Sequence, residues 1–413
     1  MGYLSCKAGS AVAVAVSSSK SLSTKPPPPP PESPPEDRPK LRRFLHRDLQ
    51  AATGGFSVTN LLGRGSHGSV YKAVIGSSRL VAVKRPSKSR EISREFHNEF
   101  EILSKIRSPR FVNLLGYSAD DAKDPLLVVE FMPNGSLYDV IHSDSHSNSL
   151  AISSWSKRIR IALQIAKAVQ LLHSQSPPIV HRDIKSANVL MDKNLNAKLG
   201  DFGLAIRCNV EDQKVKSTPP AGTMGYLDPD YVTADRLSTK TDVFSFGILL
   251  LEIISGRKAI DVRYSPSFIV DWAIPMIKRG KIGGIYDPMI GPPVDVSVRN
   301  HLGLVAAKCV RTCREKRPGM EEVVGWLTGL TQSVRSRRWD ELGIGNPSVA
   351  LTEKLGWEDG TCGIFDMYSK TCSQIVRYDT HSALLSCGTP RETETVVEIT
   401  SESHNVVCTR YNS

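Results

Sequence analysis

Residues 181–190 read His-Arg-Asp-Ile-Lys-Ser-Ala-Asn-Val-Leu, and Asp201-Phe202-Gly203 begins eleven residues after Leu190. The two stretches set an acid at 183, a cation at 185, an amide at 188 and a second acid at 201. Phosphoryl transfer leaves a protein little covalent work: it needs an acceptor for the proton of an attacking hydroxyl, and oxygen ligands that fix magnesium against phosphates. Asp183 suits the first role. Asn188 and Asp201 suit the second, because magnesium is a hard cation usually held by one or two protein oxygens plus phosphate and water. Lys185 would set a compact point charge beside the transferred group, where a planar guanidinium is not required.

The ten-residue run and the acidic tripeptide resemble the catalytic and metal-binding loops of protein kinases. Lys185 narrows the resemblance to serine/threonine kinases, since tyrosine-specific members generally carry other residues there. His46-Arg47-Asp48 repeats the first tripeptide but continues Leu-Gln-Ala-Ala-Thr, without the Lys or the Asn. That copy reads as a chance solvated turn.

Upstream, Leu62-Gly63-Arg64-Gly65-Ser66-His67-Gly68-Ser69-Val70 carries glycines that let a backbone approach phosphates without Cβ clashes. Alone it could be a hairpin turn or the start of a dinucleotide-binding unit, but the latter needs a helix directly after it. Here Val70–Ile75, the turn signal Gly76-Ser77-Ser78 and Leu80–Lys84 read strand, hairpin and strand. Lys84 closes Val-Ala-Val-Lys, the form in which kinases hold the α- and β-phosphates, and Ala82 lies in the same strand. Apolar Phe96, Phe100, Leu103 and Ile106 recur at helical spacing, and the family pattern selects Glu99 in that helix as the partner of Lys84. A one-turn shift to Glu95 is the alternative; Glu101 reads as a surface charge.

Residues 55–330 resemble a complete kinase domain of the plant receptor-like kinase family, including its cytoplasmic members, and the glycine loop with His67 resembles the crinkly-related subgroup. The resemblance implies an α+β, two-lobed fold, with a small, mainly β N-lobe carrying one regulatory helix and a larger, mainly α C-lobe. It implies ATP and Mg2+ as cofactors and protein Ser/Thr hydroxyls as substrates. The backbones of Glu130 and Met132 would hold adenine, with Val129 at the gatekeeper position. Ala221–Tyr231 resembles the substrate-docking loop, in which Thr223 bonds the base and Lys185. Asp230 stands where relatives carry Glu and is expected to pair with Arg317, and Asp242 is expected to brace the catalytic loop. Arg182 implies a phosphate on the activation segment, with Ser217, Thr218 and Thr223 as candidate acceptors; the alternative is a polar loop on a constitutively active enzyme.

The flanks differ in composition. Residues 1–40 hold an acylation-like start and a Ser/Pro-rich tether with six consecutive prolines, Pro26 to Pro31, which favour an extended spacer. Met1-Gly2-Tyr3-Leu4-Ser5-Cys6 is close to an N-myristoylation signal but has Cys6 where Ser or Thr is preferred; Gly2 and Cys6 are the candidate lipidation sites. The expected location is cytoplasmic and peripheral at the inner face of the plasma membrane, downstream of a membrane receptor kinase. Residues 41–54 read as a flanking segment. Residues 331–413 read as a partly disordered tail, with docking on the kinase domain as the alternative. The net charge of +11 permits contact with nucleic acid, but no nucleic-acid reader is recognisable. Among the eight cysteines, Cys309 and Cys313 lack a second ligand pair at zinc spacing. The competing function is a kinase-fold scaffold acting by receptor binding.

Overall fold

The computed structural model describes residues 41–65, 68–86, 90–118, 125–142, 152–208, 220–234, 237–340 and 405–407. Gly2, Cys6, Ser66, His67, Ser217 and Thr218 lie outside them, as do the proline tether and most of the tail. The fold is two-lobed: a β-sheet with one long helix, followed by a larger helical lobe.

The small lobe is built on β1 (Arg42–Phe44), β2 (Leu61–Gly65), β3 (Gly68–Ile75), β4 (Arg79–Pro86), β5 (Leu114–Ser118) and β6 (Leu127–Glu130), in the order β1-β5-β6-β4-β3-β2. Strands β3 and β4 form the hairpin expected from sequence, pairing Val70 with Lys84 and Ile75 with Arg79 around Gly76, which takes φ +58°. Successive side chains of a strand face opposite ways, and β4 uses this to serve two cores. Val81 and Val83 pack with Ala73, Leu126, Val128 and Leu49. Ala82 joins the main core, and Lys84 points with it toward the cleft.

Leu49 belongs to helix α1 (His46–Ala52) and is fully buried. The second His-Arg-Asp is therefore corrected from a solvated turn to a helix start: Arg47 and Asp48 are exposed, 3.8 Å apart, on the first turn of α1. Strand β1 pairs in parallel with β5, so the small lobe reaches back to residue 42. Helix α2 (Arg90–Lys105) lies across the sheet with Phe96, Glu99 and Leu103 on its buried face.

The large lobe is organised around α4 (Trp155–His173) and α6 (Thr239–Ser255), which come after α3 (Leu137–His142) and α5 (Pro229–Ala234) respectively in chain order. Ser154 caps α4 by accepting the Lys157 N–H. Ser238 and Thr241 form a capping box on α6, and Gly256 ends it in the left-handed region at φ +67°. Helix α6 is buried from Thr241 to Ser255, as its almost uninterrupted apolar sequence requires. No described helix is long and apolar enough to cross a membrane. Helices α7 (Ile269–Lys278), α8 (Val296–Cys309) and α9 (Met320–Asp340) complete the lobe. Cys309 is buried on α8 while Cys313 is exposed, and burial pushes the Cys309 thiol up to about 12. No cluster of three metal-ligating side chains occurs among the described residues.

The ion pair expected between Asp230 and Arg317 is replaced by another. Asp228, fully buried, receives both terminal nitrogens of Arg317, with Nη2 at 2.7 Å, while its Oδ1 also caps α5 by accepting the Asp230 N–H at 3.0 Å. Asp230 sits one step into the helix and approaches Arg314 at 3.8 Å. The physical reason is that the residue preceding a helix start has its side chain free to bridge, whereas a short carboxylate inside the first turn is committed to the helix surface.

Removing one partner of a buried pair strands the other charge and costs about 3–5 kcal/mol, whereas a partly exposed pair contributes about 0–1 kcal/mol. Asp228→Ala is therefore expected to lower the urea midpoint steeply and Asp230→Ala to leave it nearly unchanged; the reverse ranking would show that Asp230 carries the pair.

Candidate active site

The cleft between the lobes is lined by the ends of β2 and β4, by α2, and by two loops of the large lobe. The first loop follows β7 (Ile179–Val180) and contains His181 to Asn188; it leads into β8 (Val189–Met191), which pairs with β9 (Ala197–Leu199). The second follows β9 and contains Asp201 to Gly203, before β10 (Ile206–Arg207), which pairs back on β7. The two short hairpins thus bring residues 183, 188 and 201 together.

Asp183 is 3% exposed and held on several sides. Its Oδ1 accepts from Thr223 Oγ1 at 2.6 Å, and its Oδ2 lies 2.8 Å from Asn188 Nδ2 and 2.9 Å from Lys185 Nζ. Lys185 also donates to Thr223 Oγ1 at 2.7 Å. Thr223 belongs to β11 (Ala221–Thr223), so the predicted docking loop is tied directly to the predicted base.

Lys84 Nζ lies 2.6 Å from Glu99 and 2.7 Å from Asp201, a bridge from sheet to helix to loop. Burial pulls the Lys84 ammonium down, but the charges of Asp201 and Glu99 more than reverse this and hold it above the ordinary lysine range. The bridge makes Glu99, and not Glu95, the partner of Lys84, while Glu101 makes an exposed i,i+4 pair with Lys105 at 2.7 Å.

His181 is fully buried and meets the Phe202 ring edge-on at 5.0 Å, as Phe111 does at 5.3 Å. Its Nε2 donates to the Gly200 carbonyl at 3.2 Å, which leaves Nδ1 to accept the Asp183 N–H at 3.3 Å. Arg182 and Asp201 both adopt left-handed backbone, φ +68° and +59°. For non-glycine residues this costs of order 1–3 kcal/mol and persists only where surroundings enforce it. Asp242 supplies the enforcement at Arg182, accepting the backbone N–H groups of His181 and Arg182 at 2.8 and 2.9 Å.

Two contributors carried no signal in the sequence. Asn98, next to Glu99 on α2, donates from Nδ2 to the carbonyls of Phe202, Gly203 and Ala205 at 3.2, 2.7 and 2.6 Å. Glu252, fully buried on α6, accepts from Tyr226 at 2.5 Å and Ser186 at 3.0 Å and contacts His142 Nε2 at 2.8 Å. Burial and the neighbouring Glu252 charge push the Tyr226 phenol well above its ordinary range, so it stays a donor.

The residues present fit a nucleotide with a divalent cation. A Cβ built at Gly63 or Gly65 would meet nothing within 4 Å, leaving open space over the cleft, whereas one at Gly68 would strike Arg85 O at 2.2 Å. Asp201 and Asn188 offer two hard oxygens, a set that phosphate oxygens and water would complete. At the end of β6, Glu130 is fixed by Lys198 at 2.6 Å and Asn113 at 3.2 Å, its N–H donates to the Asn113 carbonyl, and Val129 is buried beside it.

A two-lobed domain whose cleft joins these groups is a protein kinase domain. The protein kinase domain family matches residues 56–326, and the chain belongs to that family. Its relatives include serine/threonine-protein kinase-like proteins of a plant. A serine/threonine-protein kinase-like protein of Arabidopsis thaliana is 87% identical over 359 residues, covering 86% of this chain and 99% of its own. A second such protein from the same plant is 50% identical, covering 83% and 73%. The serine/threonine-protein kinase-like protein CCR4 of Arabidopsis thaliana is 40% identical, covering 70% of this chain and 40% of its own. The chain is thus a member of the plant serine/threonine protein kinase family, with the ATP-binding transferase fold of that family.

Asn98→Ala frees three carbonyls of the Asp201 loop while leaving every proposed catalytic group in place. Loss of orientation in the second shell of a metal site typically costs about 10–100-fold. The variant is expected to lose activity in that range with its melting temperature little changed, measured by initial rate and by thermal unfolding side by side.

Proposed function

We propose that the protein transfers the γ-phosphoryl group of ATP to Ser and Thr hydroxyls of proteins. The observation that carries this reading is the joining of Asp183, Lys185, Asn188 and Thr223 by hydrogen bonds, with Asp201 tied by Lys84 to Glu99. In this reading Asp183 accepts the proton of the substrate hydroxyl, and Thr223 and Lys185 fix which of its oxygens faces that hydroxyl. Lys185 then offsets negative charge near the transferred group. Lys84, oriented by Glu99, holds the inner phosphates, and the glycine loop from Leu62 through Val70 covers them. Asn188 and Asp201 would hold magnesium, which when bound neutralises the phosphate oxygens and aligns them for in-line attack. The Glu130 and Met132 backbones hold adenine.

We further infer regulation by a phosphate on the segment that holds Ser217 and Thr218. Arg182 is 6% exposed, and its Nε and Nη1 are buried without a hydrogen-bond partner. Burial lowers its pKa despite the nearby Tyr231 and Asp242, so an additional anion would be bound strongly. Thr223 is already committed to Asp183 and Lys185. A receptor-linked role draws support from the name of a relative, the proline-rich receptor-like protein kinase PERK1 of Arabidopsis thaliana; acylation at Gly2 or Cys6 would bring the chain to a membrane surface.

The test is incorporation of labelled phosphate from ATP and magnesium by the full chain, beside Asp183→Asn and Lys84→Met. Positioned general bases contribute about 10²–10⁴-fold, so Asp183→Asn should fall by that factor with labelled sites confined to Ser and Thr. Ser217→Ala with Thr218→Ala should reduce the rate severalfold. A purified full-length chain that incorporates nothing, even after treatment with an upstream kinase, would give the scaffold reading first place.

A further inference from the structure

Strand β12 (Asn405–Val407) begins 65 residues beyond Asp340 in the sequence and pairs antiparallel with β11, setting Ala221 opposite Val407, Gly222 opposite Val406 and Thr223 opposite Asn405. Among the described residues β11 has no other strand partner. Its Gly222, at φ +145°, is pressed against the catalytic loop, since a Cβ there would come within 2.7 Å of the Arg182 carbonyl. One side of β11 therefore faces the loop that carries Asp183, and the edge that remains is taken by the chain's own tail.

We propose that this edge is a peptide-docking edge next to the base, and that residues 405–407 occupy it in cis as a blocked substrate. Adding an extended segment to an exposed strand edge obtains affinity from main-chain hydrogen bonds, with little demand on side-chain identity. The register decides what the occupant does. Thr223 bonds Asp183 directly at 2.6 Å, and the residue at its register position is Asn405, which has no hydroxyl to receive a phosphoryl group. The nearest hydroxyl residues in sequence are Ser403 and Thr409, two and four positions away. A base must sit within about 3 Å of the proton it takes, and successive strand positions are about 3.3 Å apart, so the acceptor must stand at the register position of Thr223. The tail thus holds the acceptor lane without being consumed, and an outside peptide must displace it.

The kinetic half of this proposal rests on the phosphotransfer reading; the docking half does not, and the experiment separates them. In the full chain, Val406→Pro with Val407→Pro removes whichever of the two alternating N–H groups donates to β11, leaving the proposed catalytic groups unchanged. Amide exchange measured on the Asp183→Asn background is expected to show residues 220–224 protected in the parent and fast in the proline variant. An intramolecular competitor acts at an effective concentration of order millimolar, so in the active background the KM for a protein substrate should fall by about tenfold with kcat unchanged. Asn405→Ser should accept phosphate at position 405, in cis, at a rate independent of enzyme concentration. Exchange at 220–224 that is the same with and without the prolines overturns docking. An unchanged KM, or an active Asn405→Ser chain that leaves position 405 unlabelled, overturns the block. If no variant phosphorylates anything, the phosphotransfer reading has failed, and the exchange result still decides the docking.

Discussion

The carboxylate of Asp242 carries a constraint on which the site depends. It is fully buried on α6, and besides the N–H groups of His181 and Arg182 it receives His173 Nε2 at 2.9 Å. Burying a carboxylate costs several kcal/mol of lost hydration, and charge-assisted hydrogen bonds are what offset it. Because two of the donors are consecutive main-chain groups, satisfying the charge forces Arg182 into left-handed backbone. That turn points Asp183 into the cleft and sends the Arg182 side chain the other way. A rigid helix therefore sets the loop conformation through one side chain.

The same helix reaches the site a second time through Glu252. Ser186, from the catalytic loop, and Tyr226, after β11, both donate to it, so the loop that carries Asp183 and the loop that ends at Asp228 are referenced to one buried acid. Asp228 is in turn fixed by Arg317. Between lobes the coupling is of another kind. Lys84 and Asn98 reach across the cleft by side chains alone, onto a loop whose Phe202 is packed between His181 and Phe111. Tilting α2 would break the bonds of Glu99 and Asn98 together, since they are neighbours on one turn.

Groups whose role follows from residue type and short spacing were legible in the sequence. Asp183, Lys185 and Asn188 lie within six residues, and the hairpin that presents Lys84 is announced by its alternation and its turn. Glu99 was selected by the family pattern over Glu95, and in the fold it shares the buried face of α2 with Phe96 and Leu103. Asn98 was opaque because its partners are main-chain carbonyls more than a hundred residues away, which leave no mark on side-chain pattern. Asp228 and Asp230 were misassigned because two acids straddling one proline look alike until the helix start is known. Strands β1 and β12 are three residues each and pair with distant partners, so neither local alternation nor a turn signal reveals them.

Charge balance explains why these parts act only together. Within the cleft, the ammonium groups of Lys84 and Lys185 face the carboxylates of Glu99, Asp183 and Asp201, leaving the cluster one positive charge short. A nucleotide brings several more negative charges into a space lined by buried side chains, where interactions are screened far less than in water. The charge of Lys84 is already balanced by two carboxylates, so holding the inner phosphates with its remaining N–H does not make up the difference. Asp201 bonds Lys84 through Oδ1, and Asn188 can keep both bonds from Nδ2 to Asp183 and still offer Oδ1. The Asp201 carboxylate and the Asn188 amide oxygen are hard donors at the point where the charge deficit lies. In the proposed reaction a divalent cation held there would offset the charge that the protein's own ammonium groups leave unbalanced.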